Sequence, residues 1–219
     1  MEQVFVEKVQ AGDSEAVQRA VGADRGLAAA TDENGVPMPL LALYHGHAAI
    51  AEWLADRVEE LSVSEAAALG RLEALERALD ADPEAADRRS PDGFPPLCLA
   101  AFFGRPAALG LLLDRGADPN RAADNPTRVR PLHSAAAHGD PEVSLTISRL
   151  LVAAGAEPNA GQQGGWTPLH QAAARGRDAL VALLLGAGAD PAAENDEGLL
   201  AVDMARKGDH DRVVGLLSR

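Results

Sequence analysis

The residues with the widest chemical repertoire in this chain are its six histidines and its single cysteine. A metal site needs several such side chains on one surface, but His45 and His47 stand two residues apart and do not share a helix face. The cysteine, Cys98, has no partner for an internal disulfide or for a Cys-x-x-Cys metal pattern. We therefore expect no metal site and no cofactor.

The sequence shows no recognisable arrangement of residues for acid–base catalysis or for phosphate binding. The carboxylates are scattered along the chain, and the glycine-rich segment Gly161–Gly165 lacks the preceding strand and the lysine of a phosphate-binding loop. The sequence therefore predicts a protein that is not an enzyme.

The chain is strongly acidic, with 33 Asp and Glu against 20 Lys and Arg and a formal net charge of −13. Such a charge repels nucleic-acid phosphates, so we expect no nucleic-acid partner. It suits either a basic protein partner or an acidic surface that only favours solubility. The N-terminal segment is charged every few residues, and no apolar run approaches the roughly 20 residues of a spanning helix. We expect no membrane contact and a cytoplasmic location.

The elements that position these residues are clearest in the segment 165–191. Thr167 can cap a helix whose first residue is Pro168, and Gly176 can end it in a left-handed conformation. Asp178 opens a second apolar helix that Gly188 closes. Two helices this short are unstable alone, so the unit requires copies of itself beside it.

The chain contains those copies. Aligning the residue between the paired helices gives spacings of 34, 24, 34, 35, 37 and 33 residues. The aligned positions are Gly12, Gly46, Gly70, Gly104, Gly139, Gly176 and Asp209. A period near 33 with one helical pair per unit is typical of a stacked solenoid.

The motif of the regular unit resembles the ankyrin repeat. It reads Gly-Trp-Thr-Pro-Leu-His at 165–170, followed by Ala172-Ala173 and Gly188-Ala189-Asp190. The resemblance implies an all-α solenoid of about seven helix–turn–helix units with short β-turn fingers, forming a single domain over 1–219. We expect the units at residues 2–33, 34–59, 60–91, 92–125, 126–162, 163–195 and 196–219.

Four departures from regularity stand out. The 24-residue spacing removes a finger near Leu61, which makes either a bend or hinge or a rigid continuation there. Ser62 and Glu65 can form a capping box at the start of the next inner helix.

The loop Arg121–Arg130 is two residues longer than standard, and the outer helix of the fifth unit gains four residues, about one turn. Such an insertion keeps the apolar face in phase, so we expect one buried face with Val143, Ile147, Leu150 and Leu151. Prolines 37 and 39 predict an irregular or shortened inner helix in the second unit.

The resemblance also implies which residues build the scaffold and which contact a partner. His133 and His170 occupy a position that the family uses in hydrogen bonds between fingers, and Cys98 replaces such a histidine, so we expect it to be buried. Fingers and the ends of inner helices line the family's binding groove. Five of the seven aromatic residues fall at those positions: Tyr44, Phe94, Phe102, Phe103 and Trp166.

Successive helical residues point about 100° apart, so Phe102 and Phe103 cannot both face inward. Phe94 and Trp166 can instead pack within the scaffold. Polar and charged residues at contact positions complete the predicted binding set: His45, Arg128, Arg130, His138 and Arg175. The arginine-rich loop can dock an acidic segment or remain solvated.

We interpret the chain as a monomeric, non-enzymatic scaffold for protein–protein interaction that binds an unidentified partner through aromatic and arginine anchors. The alternative is an inhibitor or immunity-type protein whose acidic surface masks a basic partner. Steep weakening of binding by salt would favour the alternative.

Overall fold

The computed structural model describes residues 2–218 and shows fourteen α-helices within them, arranged as seven antiparallel pairs. The predicted all-α solenoid is confirmed. The inner helices are α1 (Glu2–Ala11), α3 (Met38–Tyr44), α5 (Val63–Leu69), α7 (Pro96–Phe102), α9 (Pro131–Ala137), α11 (Pro168–Ala174) and α13 (Ala201–Lys207). The outer helices are α2 (Ser14–Ala23), α4 (Ala48–Ala55), α6 (Leu72–Ala81), α8 (Pro106–Asp114), α10 (Pro141–Ala153), α12 (Asp178–Gly186) and α14 (Asp211–Leu217).

Strand pairing within the described residues is limited to two isolated bridges, Thr31 with Pro37 and Glu194 with Leu200. The unit boundaries proposed from the sequence remain a proposal, and Met1 and Arg219 lie outside the described residues.

Local sequence explains where the helices begin and end. Thr167 Oγ1 accepts the His170 backbone N–H at the start of α11. Asp140 caps α10 through the N–H groups of Glu142 and Val143. Six of the seven turns between paired helices contain a residue with positive φ, which is glycine in five of them and Asp209 (φ 55°) in the last. The turn at Gly139 does without one.

The second unit departs from our expectation. Its inner helix α3 has seven residues, as do α5, α7, α9, α11 and α13. The prediction of a shortened or irregular helix was wrong, because Pro39 falls in the first turn, where its missing N–H has no intrahelical partner.

The two other local predictions for helices are confirmed. α5 begins at the capping box formed by Ser62 and Glu65, in the place of the missing finger. α10 is 13 residues long, against 7 to 10 in the other outer helices. Ile147 and Leu151 are buried on its inner face, whereas Leu150, which we expected on that face, is 37 % exposed.

Alanine at one position brings the inner helices together. The fifth residue of each seven-residue inner helix is an alanine with no exposed surface. These residues are Ala42, Ala67, Ala100, Ala135, Ala172 and Ala205. A methyl side chain lets neighbouring helices approach closely. The buried apolar residues form two clusters, one in the first two units together with Ala68, Leu69 and Leu99, and one that runs from Val63 to Val213.

Backbone hydrogen bonds join most of the fingers. Asp124 donates to the Gly93 carbonyl, Gln163 to Thr127 and Asp196 to Gly164, at 2.9, 2.9 and 3.0 Å. At the missing finger, the finger before α7 (residues 88–95) meets the finger before α3 (residues 30–37) directly. A Cβ built on Gly35 would lie 3.4 Å from Pro91 Cβ. Pro91 has no N–H, so the row of backbone bonds is interrupted there.

The alanine spacing generates a stability prediction. Replacing Ala172 with leucine should lower the free energy of unfolding by about 1–3 kcal/mol, because α11 packs between α9 and α13 and has no room for three more carbons. The same substitution at Ala179, exposed on α12, should change it by less than about 0.5 kcal/mol. Urea unfolding followed by circular dichroism measures both variants, and equal effects would contradict close packing at Ala172.

Candidate functional site

The surface formed by the fingers and the inner helices, which we call the groove, contains a cavity of about 360 Å³. Its finger wall comes from three successive fingers, with the residues Asp92, Phe94, Thr127, Val129 and Gln162. A cavity of this size suits a small molecule or one large side chain of a partner.

The helical wall of the cavity repeats the same helix positions from unit to unit. Residues three and four apart lie on one helix face, so the third, fourth and seventh residues of an inner helix point to the same side. Those positions of α3, α7, α9 and α11 supply the wall: Tyr44, Cys98, Leu99, Phe102, His133, Ser134, Ala137 and Gln171.

Three aromatic rings run side by side from the second unit to the fourth. The rings of Phe102 and Phe103 meet edge to face at 5.2 Å, and those of Phe103 and Tyr44 lie 5.8 Å apart. Phe103 is half-buried against the core of the first two units, whereas Phe102 is 50 % exposed at the cavity rim. As expected from the sequence, the two phenylalanines do not both face inward, and Phe102 is the one that faces solvent.

Polar groups are few in the cavity, and three of them lack partners. Tyr44 Oη, Gln162 Oε1 and Gln171 Oε1 are buried and make no hydrogen bond of normal geometry within the described residues. Burial and then the nearby Asp92 carboxylate raise the pKa of Tyr44, so it remains a neutral phenol. Buried polar atoms are normally paired, so these oxygens are local exceptions in a wall that is otherwise almost wholly apolar.

Cys98 and His133 form the back of the cavity. Burial raises the pKa of Cys98 to about 12, which keeps the thiol protonated and unreactive. Burial lowers the pKa of His133 to about 4. The neutral ring bonds the Trp166 carbonyl through Nε2 (3.1 Å) and accepts the Arg130 backbone N–H at Nδ1 (3.4 Å). His170 bonds Leu199 in the same way (3.0 Å), as the resemblance implied for both histidines.

A model of ankyrin repeats in three copies matches residues 63–161 and 122–195, together more than half of the chain. The chain belongs to the ankyrin-repeat family. The bonds from His133 and His170 to the following fingers are therefore the scaffold contacts of ankyrin units, and the cavity lies between those fingers and the inner helices.

The relatives of this ankyrin-repeat chain are much longer proteins. It is 38 % identical over 112 residues to neurogenic locus notch homolog protein 4 of Homo sapiens, covering 45 % of this chain and 5 % of that protein. It is 32 % identical over 106 residues to E3 ubiquitin-protein ligase KEG of Arabidopsis thaliana, covering 48 % and 6 %. It is 32 % identical over 155 residues to a transient receptor potential cation channel subfamily A member 1 homolog of Caenorhabditis elegans, covering 71 % and 12 %. The likeness therefore concerns the ankyrin repeats and not the activities of the whole relatives.

The structure brings only some of the predicted contact residues to the cavity. Tyr44, Phe94 and Phe102 line it, and Phe103 supports the rim. Trp166 is half-buried against the core, with its ring centroid 6.0 Å from that of His170.

The polar members of the predicted set lie around the cavity or away from it. Arg130 pairs with Glu157 at 2.6 Å, and Arg128 is exposed with a φ of 51°. His45 and Arg175 are exposed at the ends of α3 and α11. His138 lies in the turn before α10, where its Nδ1 accepts the Asp140 N–H at 3.1 Å.

Sequence reasoning missed Asp92, Val129, Gln162 and Gln171. A signal for Gln171 was present, because the fourth residue of an inner helix lies on the same face as the seventh. Val129 corresponds to Phe94 and Trp166, each two residues before an inner helix, but the lengthened loop obscured that correspondence. Nothing in the sequence around Asp92 or Gln162 indicated that their side chains would line the cavity.

Within residues 2–218, no group of three or more His, Cys, Asp or Glu side chains is placed to hold a metal ion. Among the same residues, every helix is too short or too polar to cross a bilayer.

The pKa of His133 predicts a pH dependence of stability. The imidazole has a pKa near 6.5 when unfolded and about 4 in the fold, so between these values the unfolded chain binds the extra proton. Stability is therefore full above about pH 6.5 and falls as the pH is lowered, by roughly 3 kcal/mol at about pH 4. Urea unfolding of wild type and His133→Gln across this range isolates the effect, since the carboxylates titrate in both. If the free energies of unfolding of wild type and His133→Gln fell in parallel as the pH is lowered, the conclusion that His133 is buried as a neutral imidazole would be contradicted.

Proposed function

We propose that this ankyrin-repeat domain is a protein-interaction module that binds a partner polypeptide along the groove, with Phe102 as its central apolar anchor. Ankyrin repeats generally mediate protein–protein interaction. The observation that carries the proposal is that Phe102 is half exposed at the rim of a largely apolar cavity of about 360 Å³. A ring held in this way loses little conformational freedom when a partner covers it.

Phe102 differs from the other exposed large apolar side chains. Among the described residues these are Val4, Leu72, Phe102 and Leu150. Leu72 and Leu150 lie on outer helices, away from the fingers, and Val4 lies on the terminal helix α1. Phe102 alone of the four lines the cavity.

The surrounding residues suit supporting roles. We assign Tyr44 and Phe94 to the cavity wall, and His45, Arg128 and Arg175 to the exposed rim, where charges set orientation more than affinity. Arg130 is held by Glu157, so its charge is partly neutralised before any partner arrives. Trp166, Phe103 and His138 pack within the scaffold. We therefore assign them to holding the groove in place and not to contacting the partner.

The proposal is tested by replacing Phe102 with alanine beside Leu150→Ala as a matched control. A photo-crosslinking residue at position 126 of each protein, an exposed site next to the cavity-lining Thr127, is exposed to lysate from the source organism and should capture a discrete partner with wild type and with Leu150→Ala. Phe102→Ala should reduce that capture at least about tenfold, because a buried aromatic anchor contributes on the order of 2 kcal/mol or more. Both variants should melt within a few degrees of wild type. Equal capture by Phe102→Ala and Leu150→Ala would reject the groove as the binding surface.

The net charge of −13 supports a second candidate, an acidic module that masks a basic partner. Exposed charges are screened over about 10 Å at 0.1 M salt, so affinity that arises from the acidic surface should fall steeply between about 0.05 and 0.5 M sodium chloride. The affinity of an apolar groove anchored by Phe102 should fall only a few-fold over the same salt range. The dissociation constant of the captured partner, measured over that salt range, decides between them.

A further inference from the structure

We propose that the cavity receives a neutral aromatic side chain of a partner polypeptide, which takes the place that the fifth unit leaves vacant beside a row of rings. The juxtaposition that supports this is a half-exposed phenylalanine, Phe102, next to the small residues Val129 and Ala137 in a cavity lined mostly by carbon. The proposal rests on the proposed function for the source of that side chain.

A comparison of equivalent positions shows why the cavity lies at the fifth unit. The seventh residue of the inner helix is Tyr44 in the second unit and Phe102 in the fourth, but Ala137 in the fifth. The residue two positions before the inner helix is Phe94 in the fourth unit, but Val129 in the fifth. The fifth unit therefore carries small side chains at both positions where the fourth unit carries rings, and all four residues line the cavity.

The rings already present form a row that a guest ring would continue. The rings of Tyr44, Phe103 and Phe102 follow one another at centroid distances of 5.8 and 5.2 Å. Phe102 ends the row at the cavity, with 50 % of its surface exposed. Aromatic pairs are favourable at centroid distances of about 4.5–7 Å, so a ring bound beside Phe102 gains the same contact that joins the rings within the row.

The polar groups of the wall match a neutral guest, because they are already bonded or covered. Asp92 accepts the Ser90 hydroxyl, and the Thr127 hydroxyl donates to Asn125 at 2.5 Å. His133 is neutral at physiological pH, since burial lowers its pKa to about 4, and both of its ring nitrogens bond the backbone. The unpaired side-chain oxygens of the wall have almost no exposed surface. A charged guest would therefore lose its hydration without gaining a partner.

The size of the cavity and the position of Phe102 suit a ring carried by a polypeptide. An apolar cavity of about 150 Å³ is large enough to bind benzene. The 360 Å³ cavity therefore accommodates a phenyl ring together with the methylene group that joins it to a backbone. Phe102 lies at the rim, so a small molecule confined to the cavity would leave much of that ring in water, whereas a polypeptide covers the rim as well.

Small probes test the cavity without knowledge of the partner. Nuclear magnetic resonance titrations of the full chain with toluene and with benzylammonium compare a neutral ring with the same ring carrying a charge. Toluene should shift the amide signals of Phe94, Thr127, Val129 and Ala137, and benzylammonium should bind at least about tenfold more weakly. Equal binding of the two probes would overturn the requirement for a neutral guest, and binding of neither would overturn the proposal altogether.

Variants that supply the missing ring from the chain itself locate the probe. Ala137→Phe should weaken toluene binding at least about tenfold, because the new side chain occupies the cavity. Ala174→Phe, the same change at the seventh position of α11 and outside the cavity lining, should leave toluene binding unaltered. If Ala137→Phe fails to fold, Val129→Phe decides, since it fills the same cavity from the finger wall. Unchanged toluene binding in the folded cavity variant, or an equal loss in Ala174→Phe, would overturn the proposal.

The source of the ring is tested with three peptides. Acetyl-Gly-Gly-Phe-Gly-Gly-amide should bind at least as tightly as toluene, the leucine peptide at least about threefold more weakly and the alanine peptide at least about tenfold more weakly. Equal binding of the leucine and phenylalanine peptides would overturn the preference for an aromatic ring. Binding of toluene without the phenylalanine peptide would overturn a polypeptide source.

The crosslinking experiment separates this proposal from the proposed function. Ala137→Phe should reduce capture of the partner at least about tenfold, as Phe102→Ala does, because the partner's ring can no longer enter. Capture that depends on Phe102 but persists in Ala137→Phe would reject only the aromatic guest and leave the proposed function standing. Capture that does not depend on Phe102, with toluene binding intact, would reject the proposed function and with it the polypeptide source.

Discussion

The contact on which the whole molecule depends is the approach of consecutive inner helices at one buried alanine. No helix pair of this length is stable by itself, so each unit gains its stability from its neighbours. A residue with no exposed surface and a single methyl group at the fifth position of α3 through α13 sets the distance between units. That spacing in turn fixes where the third, fourth and seventh residues stand, and these are the residues that form the groove.

The composition of the cavity wall depends on one irregularity in this regular stack, the missing finger between the second and third units. Tyr44 belongs to the second unit and Asp92 to the finger before the fourth, yet the two side chains are neighbours. They meet because the 24-residue spacing removes the finger between them. Pro91 then sits beside Gly35, where other fingers exchange a backbone hydrogen bond. The missing finger therefore allows Tyr44 of the second unit to join the wall of a cavity that is otherwise formed by the fourth, fifth and sixth units.

The sequence allowed the scaffold to be predicted in more detail than the site. Helix starts at Thr167, Ser62 and Asp140 depend on local capping, which a few adjacent residues specify completely. The burial of Cys98 followed from the repeat alignment. The cavity depends instead on how Tyr44 and Asp92 meet across the stack, and on rotamers that turn Gln162 and Gln171 inward. Such long-range placements leave no periodic signal, and the lengthened loop at 121–130 hid the equivalence of Val129 with Phe94.

Two kinds of feature that stability alone does not explain, an exposed aromatic ring and unpaired buried atoms, are found together at the cavity. Exposing half of a phenylalanine and leaving buried oxygens unpaired both cost free energy, and natural proteins retain such costs chiefly at functional sites. Three of the six unpaired buried side-chain atoms in the described chain lie in the cavity wall that also carries Phe102. A partner that covers the aromatic rim would relieve the cost of exposing Phe102. The placement of Phe102 therefore supports the proposal that the groove is a contact surface, because its neighbour Phe103 shows that the same segment can bury a ring.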